Sequence, residues 1–192
     1  LIRKDTWLRK VQIGVIGSRV LDVENNPLHQ QSYTIAQKVG ELLAEEGVIV
    51  INGGMTGVME AVSIGVRKHD GIVVGIIPSD QPDDGNPALT VRVATGLTKE
   101  ERRAIVVQSS DALIVIHGEE GTRVEAHLAV KLGIPVITLP MTGGVARELA
   151  EDTDLTQNVE IAQNAEEAVK LAVAVARLTT AIGPGEELTD LR

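Results

Sequence analysis

Runs of β-branched apolar residues alternate along this chain with longer stretches in which apolar residues recur every three to four positions. The runs are 11–17 (VQIGVIG), 48–52 (VIVIN), 72–78 (IVVGIIP), 112–118 (ALIVIHG) and 135–140 (PVITLP). Unbroken hydrophobicity over so few residues predicts strands buried on both faces. A weaker run, 89–95 (LTVRVAT), alternates polar with apolar residues and predicts an exposed or edge strand. Between the runs, helices are predicted at about 28–46, 57–69, 98–109 and 122–132, with a last one at about 165–178. Start signals support three of them: Pro27 at a first turn, Thr98 with Glu101 as a capping box, and Asn164 with Glu167 three residues on. Strand–helix alternation with short loops predicts an α/β fold, a doubly wound parallel sheet in three α/β/α layers. We find no internal repeat and no dividing linker, so a single domain over 1–192 is expected, with 178–192 as a frayed tail.

Composition narrows the function. With 192 residues, 43% of them hydrophobic, the chain can build one sizeable core but hardly two. Its 18 Lys and Arg against 27 Asp and Glu give a formal charge of -9, which argues against nucleic acid and against an anionic membrane surface as partners. Phe is absent and Trp and Tyr occur once each, so aliphatic residues fill the core and no base-stacking platform is available. There is no Cys, hence no disulfide and no thiolate zinc site, and no pair of the four His has metal-binding spacing. No apolar stretch approaches the roughly 20 residues of a membrane-spanning helix. The opening LIRKDTWLRKVQIGVIGS imitates a signal peptide but reads better as a lead into the first strand. A soluble, cytoplasmic protein is expected, and the initial Leu suggests that the natural start lies upstream.

Open parallel sheets bind ligands beyond the carboxyl ends of their strands. Gly17-Ser18-Arg19 follows the first run, and Asn52-Gly53-Gly54-Met55-Thr56-Gly57 the second. Residues His117-Gly118-Glu119-Glu120-Gly121-Thr122 follow the run at 112. The last two are glycine-rich and lead straight into helices, where backbone N–H groups and the helix dipole suit a phosphate. The same glycines would equally serve tight turns. His117 is expected at the mouth of this cleft, as a ligand contact or as a cap. Asp80, Asp83 and Asp84 crowd a loop, SDQPDDGNP, that reads as a lid or as a solvated turn, and Asp111 reads as structural.

Taken in order, GSRV, NGGMTGVMEAVSIG, VVGIIP and SSDALIVIHGEEGTRVEAHLAVKLGIPV resemble the Lonely-guy superfamily over roughly residues 11–140. That group also includes molybdenum-cofactor carrier proteins. The resemblance implies a Rossmann-like fold, a homo-oligomer (most simply a dimer), and a small phosphorylated ligand. Its best-known activity hydrolyses the N-glycosidic bond of cytokinin riboside 5′-monophosphates, releasing base and ribose 5-phosphate. The family hallmark PGGxGTxxE places its carboxylate on Glu125, with Gly118, Gly121 and Thr122 in the cradle. The arginine upstream of the hallmark falls on Arg102, beside Arg103. The motif GGxxGxM falls on Gly53, Gly54, Gly57 and Met59, with Met55 and Thr56 between, and Gly17, Ser18 and His117 flank the same cleft.

A carboxylate such as Glu125 can stabilise the oxocarbenium character of a breaking glycosidic bond or activate water, and an arginine can hold a phosphate or orient that carboxylate. Where the family has Pro-Gly-Gly, this chain has His117-Gly118-Glu119, with Glu120 following. Two carboxylates there would repel a phosphate unless they turn away or hold a divalent cation. GVMEAVSIG and the TGL…RR segment resemble the carrier-like branch. The expectation is therefore a nucleotide-binding protein with phosphoribohydrolase chemistry; the alternative is a non-catalytic carrier of a phosphorylated pterin, the molybdenum cofactor, or of a nucleotide. The decarboxylase label once attached to the group is not expected to apply, for no pyridoxal-phosphate lysine motif is present.

Overall fold

A computed structural model describes residues 9–152 and 159–181. Seven strands, β1 (Gln12–Gly17), β2 (Ile49–Asn52), β3 (Ile72–Ile77), β4 (Val91–Ala94), β5 (Ala112–Ile116), β6 (Val136–Leu139) and β7 (Val159–Ile161), form one sheet. Every pairing is parallel, and the strand order is β4-β3-β2-β1-β5-β6-β7. The chain thus winds outward from β1 to β4, returns to pair β5 against β1, and winds outward the other way. The reversal between β1 and β5 is the topological switch point.

Among the described residues, six α-helices cover the two faces: α1 (Pro27–Glu45), α2 (Val58–Lys68), α3 (Lys99–Gln108), α4 (Glu120–Lys131), α5 (Gly144–Glu151) and α6 (Ala165–Ala181). Buried residues of α1, α2 and α6 pack with Ile13, Val15, Ile114 and Ile116 on one face. Those of α3, α4 and α5 pack with Ile16, Leu113 and Val115 on the other. Successive strand residues therefore feed opposite cores, which is why the runs show no polar alternation. With no Phe, this core is built from Val, Ile, Leu and Ala, and burying each large aliphatic side chain contributes about 1.5–3 kcal/mol.

The start signals are realised. Asn26 accepts from the Leu28 and His29 N–H groups ahead of Pro27, Thr98 and Glu101 form a reciprocal capping box, and Glu167 N–H donates to Asn164 Oδ1 at 2.8 Å. Strand β4 lies at the sheet edge, with Val91 43% and Val93 40% exposed, as its alternation predicts. Two elements escape the sequence pattern. Helix α5 has only eight residues and starts on Gly143 and Gly144, both at positive φ, so MTGG reads as a loop; β7 is three residues long. Helix α4 begins at Glu120, two residues early, and α6 continues through Ala181 into the segment expected to fray, whose remainder lies outside the described residues.

Candidate functional site

Gly17 pairs with Ile116 across the switch point, so the chain leaves β1 and β5 side by side. A cleft of about 210 Å³ opens there. Strand β1 and its exit contribute Gly17, Ser18 and Arg19 to the lining; the β2–α2 segment contributes Gly53, Met55 and Met59. Lys99, Arg102 and Arg103 come from α3, and Glu119, Gly121, Thr122 and Glu125 from the start of α4. Of the residues singled out from the sequence, Gly54, Thr56, Gly57, His117, Gly118 and Glu120 stand outside this lining. Arg19, which follows the first strand run, and Lys99, which the sequence pattern did not single out, are inside it.

Arg102 and Glu125 face each other in the cleft, 8% and 6% exposed, with Nη1 and Oε1 3.6 Å apart. That distance is an ion pair without a direct hydrogen bond. Burial dominates both partners. It pushes the Glu125 carboxyl up to about 7 against the pull of Arg102 and Arg103. It also pulls the Arg102 guanidinium down, which Glu125 opposes and the neighbouring Arg103 and Arg19 reinforce. Arg102 Nε is buried and has no hydrogen-bond partner among the described residues. A buried donor among crowded cations is the arrangement an anion would relieve.

The two glycine-rich turns do different work. In the first, Gly54 N–H donates to Asn52 Oδ1 at 2.8 Å, Val58 N–H to the Ser18 carbonyl at 2.9 Å, and Thr56 Oγ1 to the Arg19 carbonyl at 2.8 Å. Gly57 has φ 70°, and a Cβ there would overlap the Ser18 and Arg19 carbonyls. This turn clamps the exit of β1, and its Gly53 and Met55 also line the cleft. Even at Gly53, a Cβ would run into the Arg102 guanidinium. In the second turn, Glu119 is the N-cap of α4 but makes no side-chain capping bond, and Gly121 and Thr122 of its first turn line the cleft. The Arg103 guanidinium lies over Gly121, whose missing Cβ leaves room for it.

The expected pair of acidic obstacles is half real. Glu119 lines the cleft, whereas Glu120 is exposed and paired with Arg123 at 3.1 Å. Among the described residues no cluster of three or more His, Asp or Glu could hold a metal ion. His117 is 9% exposed and does not line the cleft, and its Nδ1 is 2.9 Å from Ser18 Oγ. The carbonyls of His117 and Gly118 accept from the Ala146 and Val145 N–H groups, so the unpredicted α5 braces this loop. Asp111 accepts from the Gln12 N–H and from Arg9, a structural role. The acidic loop beyond β3 is tied by Ser79 to Asp84 and by Arg92 to Asp83.

The family model of the SLOG cluster4 family matches residues 10–169. The chain belongs to this family. An uncharacterised protein of Archaeoglobus fulgidus is 42% identical over 132 residues, 69% of this chain and 82% of its own length. Among solved structures, TM1055, a structural-genomics target, superposes with a TM-score of 0.76 at 36% identity, covering 85% of this chain and 99% of its own. The molybdenum cofactor binding protein of Rippkaea orientalis gives 0.75 at 32%, covering 88% and 99%. The molybdenum cofactor carrier protein of Chlamydomonas reinhardtii gives 0.73 at 26%, again covering 88% and 99%. DNA processing protein A of Streptococcus pneumoniae shares the fold alone, at 13% identity and a TM-score of 0.63. The Rossmann-like fold and the carrier-like branch of the Lonely-guy superfamily, both implied by the motifs, are thereby established.

Proposed function

We propose that this protein binds and carries a small phosphorylated ligand, a pterin of the molybdenum-cofactor kind or a nucleotide. The observation that carries this reading is the charge of the cleft. In a chain of net charge -9, Arg19, Lys99, Arg102 and Arg103 meet only Glu119 and Glu125 at the switch point. The buried Arg102 Nε and the open start of α4 add donors for an anion in the same place. The molybdenum cofactor proteins of Rippkaea and Chlamydomonas support the pterin, and the charge balance and the resemblance support the rest of the reading, a cytoplasmic dimer that binds neither nucleic acid nor membrane. No described helix is long and apolar enough to cross a membrane.

A thermal-shift and calorimetry panel of inorganic phosphate, AMP and a phosphorylated pterin tests it. A ligand at a hundred times its Kd stabilises the fold by about 2.7 kcal/mol. A panel that leaves the melting temperature unchanged and releases no binding heat would refute the anion cleft. Light scattering at micromolar concentration checks the dimer, which a monomer mass would remove.

One observation favours the second reading, phosphoribohydrolase chemistry. A carboxyl near 7, buried 3.6 Å from an arginine, is in the range a general acid or base needs at neutral pH. Incubation with nucleoside monophosphates, followed by chromatography for free base, decides between the two. Release of base that is abolished by Glu125→Gln makes the protein an enzyme; binding without release leaves it a carrier.

A further inference from the structure

The residues leaving β1 and β5 carry a contact that the charge of the cleft does not explain. Ser18 Oγ lies 2.9 Å from His117 Nδ1, with both residues buried. Ser18 is one of the residues lining the cleft, whereas His117 is not. Much of the surrounding structure holds that imidazole. His117 has φ 55°, a region that non-glycine residues seldom occupy, and its N–H donates to Thr142 Oγ1 at 2.7 Å. The His29 ring of α1 meets it nearly edge-on at 5.0 Å. At Gly144, where α5 begins, a Cβ would stand 3.0 Å from Nδ1. A residue that merely capped a strand would need none of these constraints.

A serine hydroxyl has one proton to give. If Ser18 gives it to Nδ1, only its lone pairs face the cleft, and an anion is repelled. If Nδ1 carries its own proton and donates to Ser18 Oγ, the Ser18 proton is free to point at the ligand. The neighbouring Arg19, Arg102 and Arg103 select the second arrangement, because they favour an anion in that space.

We propose that Ser18 and His117 form a hydroxyl relay for a phosphate oxygen, in which His117 Nδ1–H donates to Ser18 Oγ and Ser18 Oγ–H donates to the ligand. The relay rests on the anion-binding reading of the cleft and names one donor within it and the residue that orients that donor. His117 is a positioning residue that does not touch the ligand. Burial and the neighbouring His29 lower its pKa, against the opposing pull of Glu119, so the neutral ring is favoured and its tautomer is the variable.

The test is calorimetry with inorganic phosphate and with AMP, paired with long-range ¹H–¹⁵N NMR of the imidazoles. Ser18→Ala should weaken both probes about ten- to a hundredfold, the span of one hydrogen bond to a charged group. His117→Asn should retain affinity within about a factor of three, since asparagine tolerates the left-handed backbone and its Nδ2 stands where Nδ1 did. His117→Asp, which accepts but cannot donate, should lose at least as much as Ser18→Ala. In the wild type, phosphate should bring His117 to the Nδ1–H tautomer, a readout that needs no variant to fold. Unchanged binding by Ser18→Ala, or an Nε2–H tautomer with phosphate bound, overturns the relay and leaves the anion cleft standing. A wild type that binds neither probe overturns the cleft reading, and the relay with it.

Discussion

The turns at 53–57 and 118–122 look alike in sequence, each a glycine-rich link from a buried strand to a helix. In the fold they diverge. The first spends its donors on its own chain and holds the β1 exit in place; the second presents the start of α4 to the cleft. Glycine reports that something approaches the backbone closely, but it does not say what. At Gly57 the approaching groups are two carbonyl oxygens, and at Gly53 and Gly121 they are guanidinium groups. The start of α4 lines the cleft beside Arg19, Lys99, Arg102 and Arg103, so this turn is expected to respond most to ligand.

The sharpest way to break that comparison is to put one methyl group in each turn. Gly57→Ala forces a side chain into the left-handed region and against the Ser18 and Arg19 carbonyls. Strain and overlap together should cost about 2–5 kcal/mol of stability in chemical denaturation. Gly121→Ala lies within α4 and meets only the movable end of Arg103, so stability should stay within about 1 kcal/mol. Its cost should appear in phosphate affinity. Equal stability losses at the two sites would erase the distinction between clamp and cradle.

Arg102→Ala comes next. It removes the buried donor and the counter-charge of Glu125 together. Phosphate affinity should fall by about 1.5–3 kcal/mol in calorimetry, the range for hydrogen bonds to charged groups. A variant that binds phosphate as tightly as the wild type would move the anion away from α3.

How much of this was legible follows from where each signal resides. Two-sided burial writes itself as unbroken apolar runs, so β1, β2, β3, β5 and β6 could be read directly from the pattern. Short β7 and α5 leave too few residues for a period, and α5 turned out to brace the loop that carries His117. The Arg102–Glu125 pairing joins two helices, and no local spacing encodes it; family resemblance alone singled out the two residues. Lys99, the first residue of α3, was not singled out, because periodicity says nothing about where a helix start will point.

A pH series tests the buried carboxyl with a smaller effect. Glu125 is raised from its ordinary value of 4.5 to about 7 in the folded protein, so folding favours its protonated form. The stability tied to that preference is fully present below about pH 4.5 and is lost as pH rises through about 7. The wild-type melting temperature should therefore fall between pH 5 and pH 8 more steeply than that of Glu125→Gln, which cannot ionise. Phosphate affinity should rise over the same interval as pH falls, because a neutral Glu125 no longer repels the anion. Parallel melting curves for the two proteins would show that Glu125 is charged throughout.

The smallest effect belongs to Glu119, where the family pattern has glycine. Its backbone at φ -125° is ordinary extended chain, so the fold does not require glycine here, and Glu119→Gly should fold normally. The residue is exposed, so water and salt weaken its repulsion of a bound phosphate. Replacing it should tighten phosphate binding by only about 0.5–1 kcal/mol at low ionic strength, and by less in 0.5 M salt. Glu119→Gln separates the two physical causes, since it removes the charge but keeps the side chain. If Gln matches Gly, charge is the whole effect; if only Gly tightens binding, the side chain was blocking the α4 backbone. Weaker binding by both variants would mean that Glu119 contributes to holding the ligand, and the start of α4 would then not be a simple anion cradle.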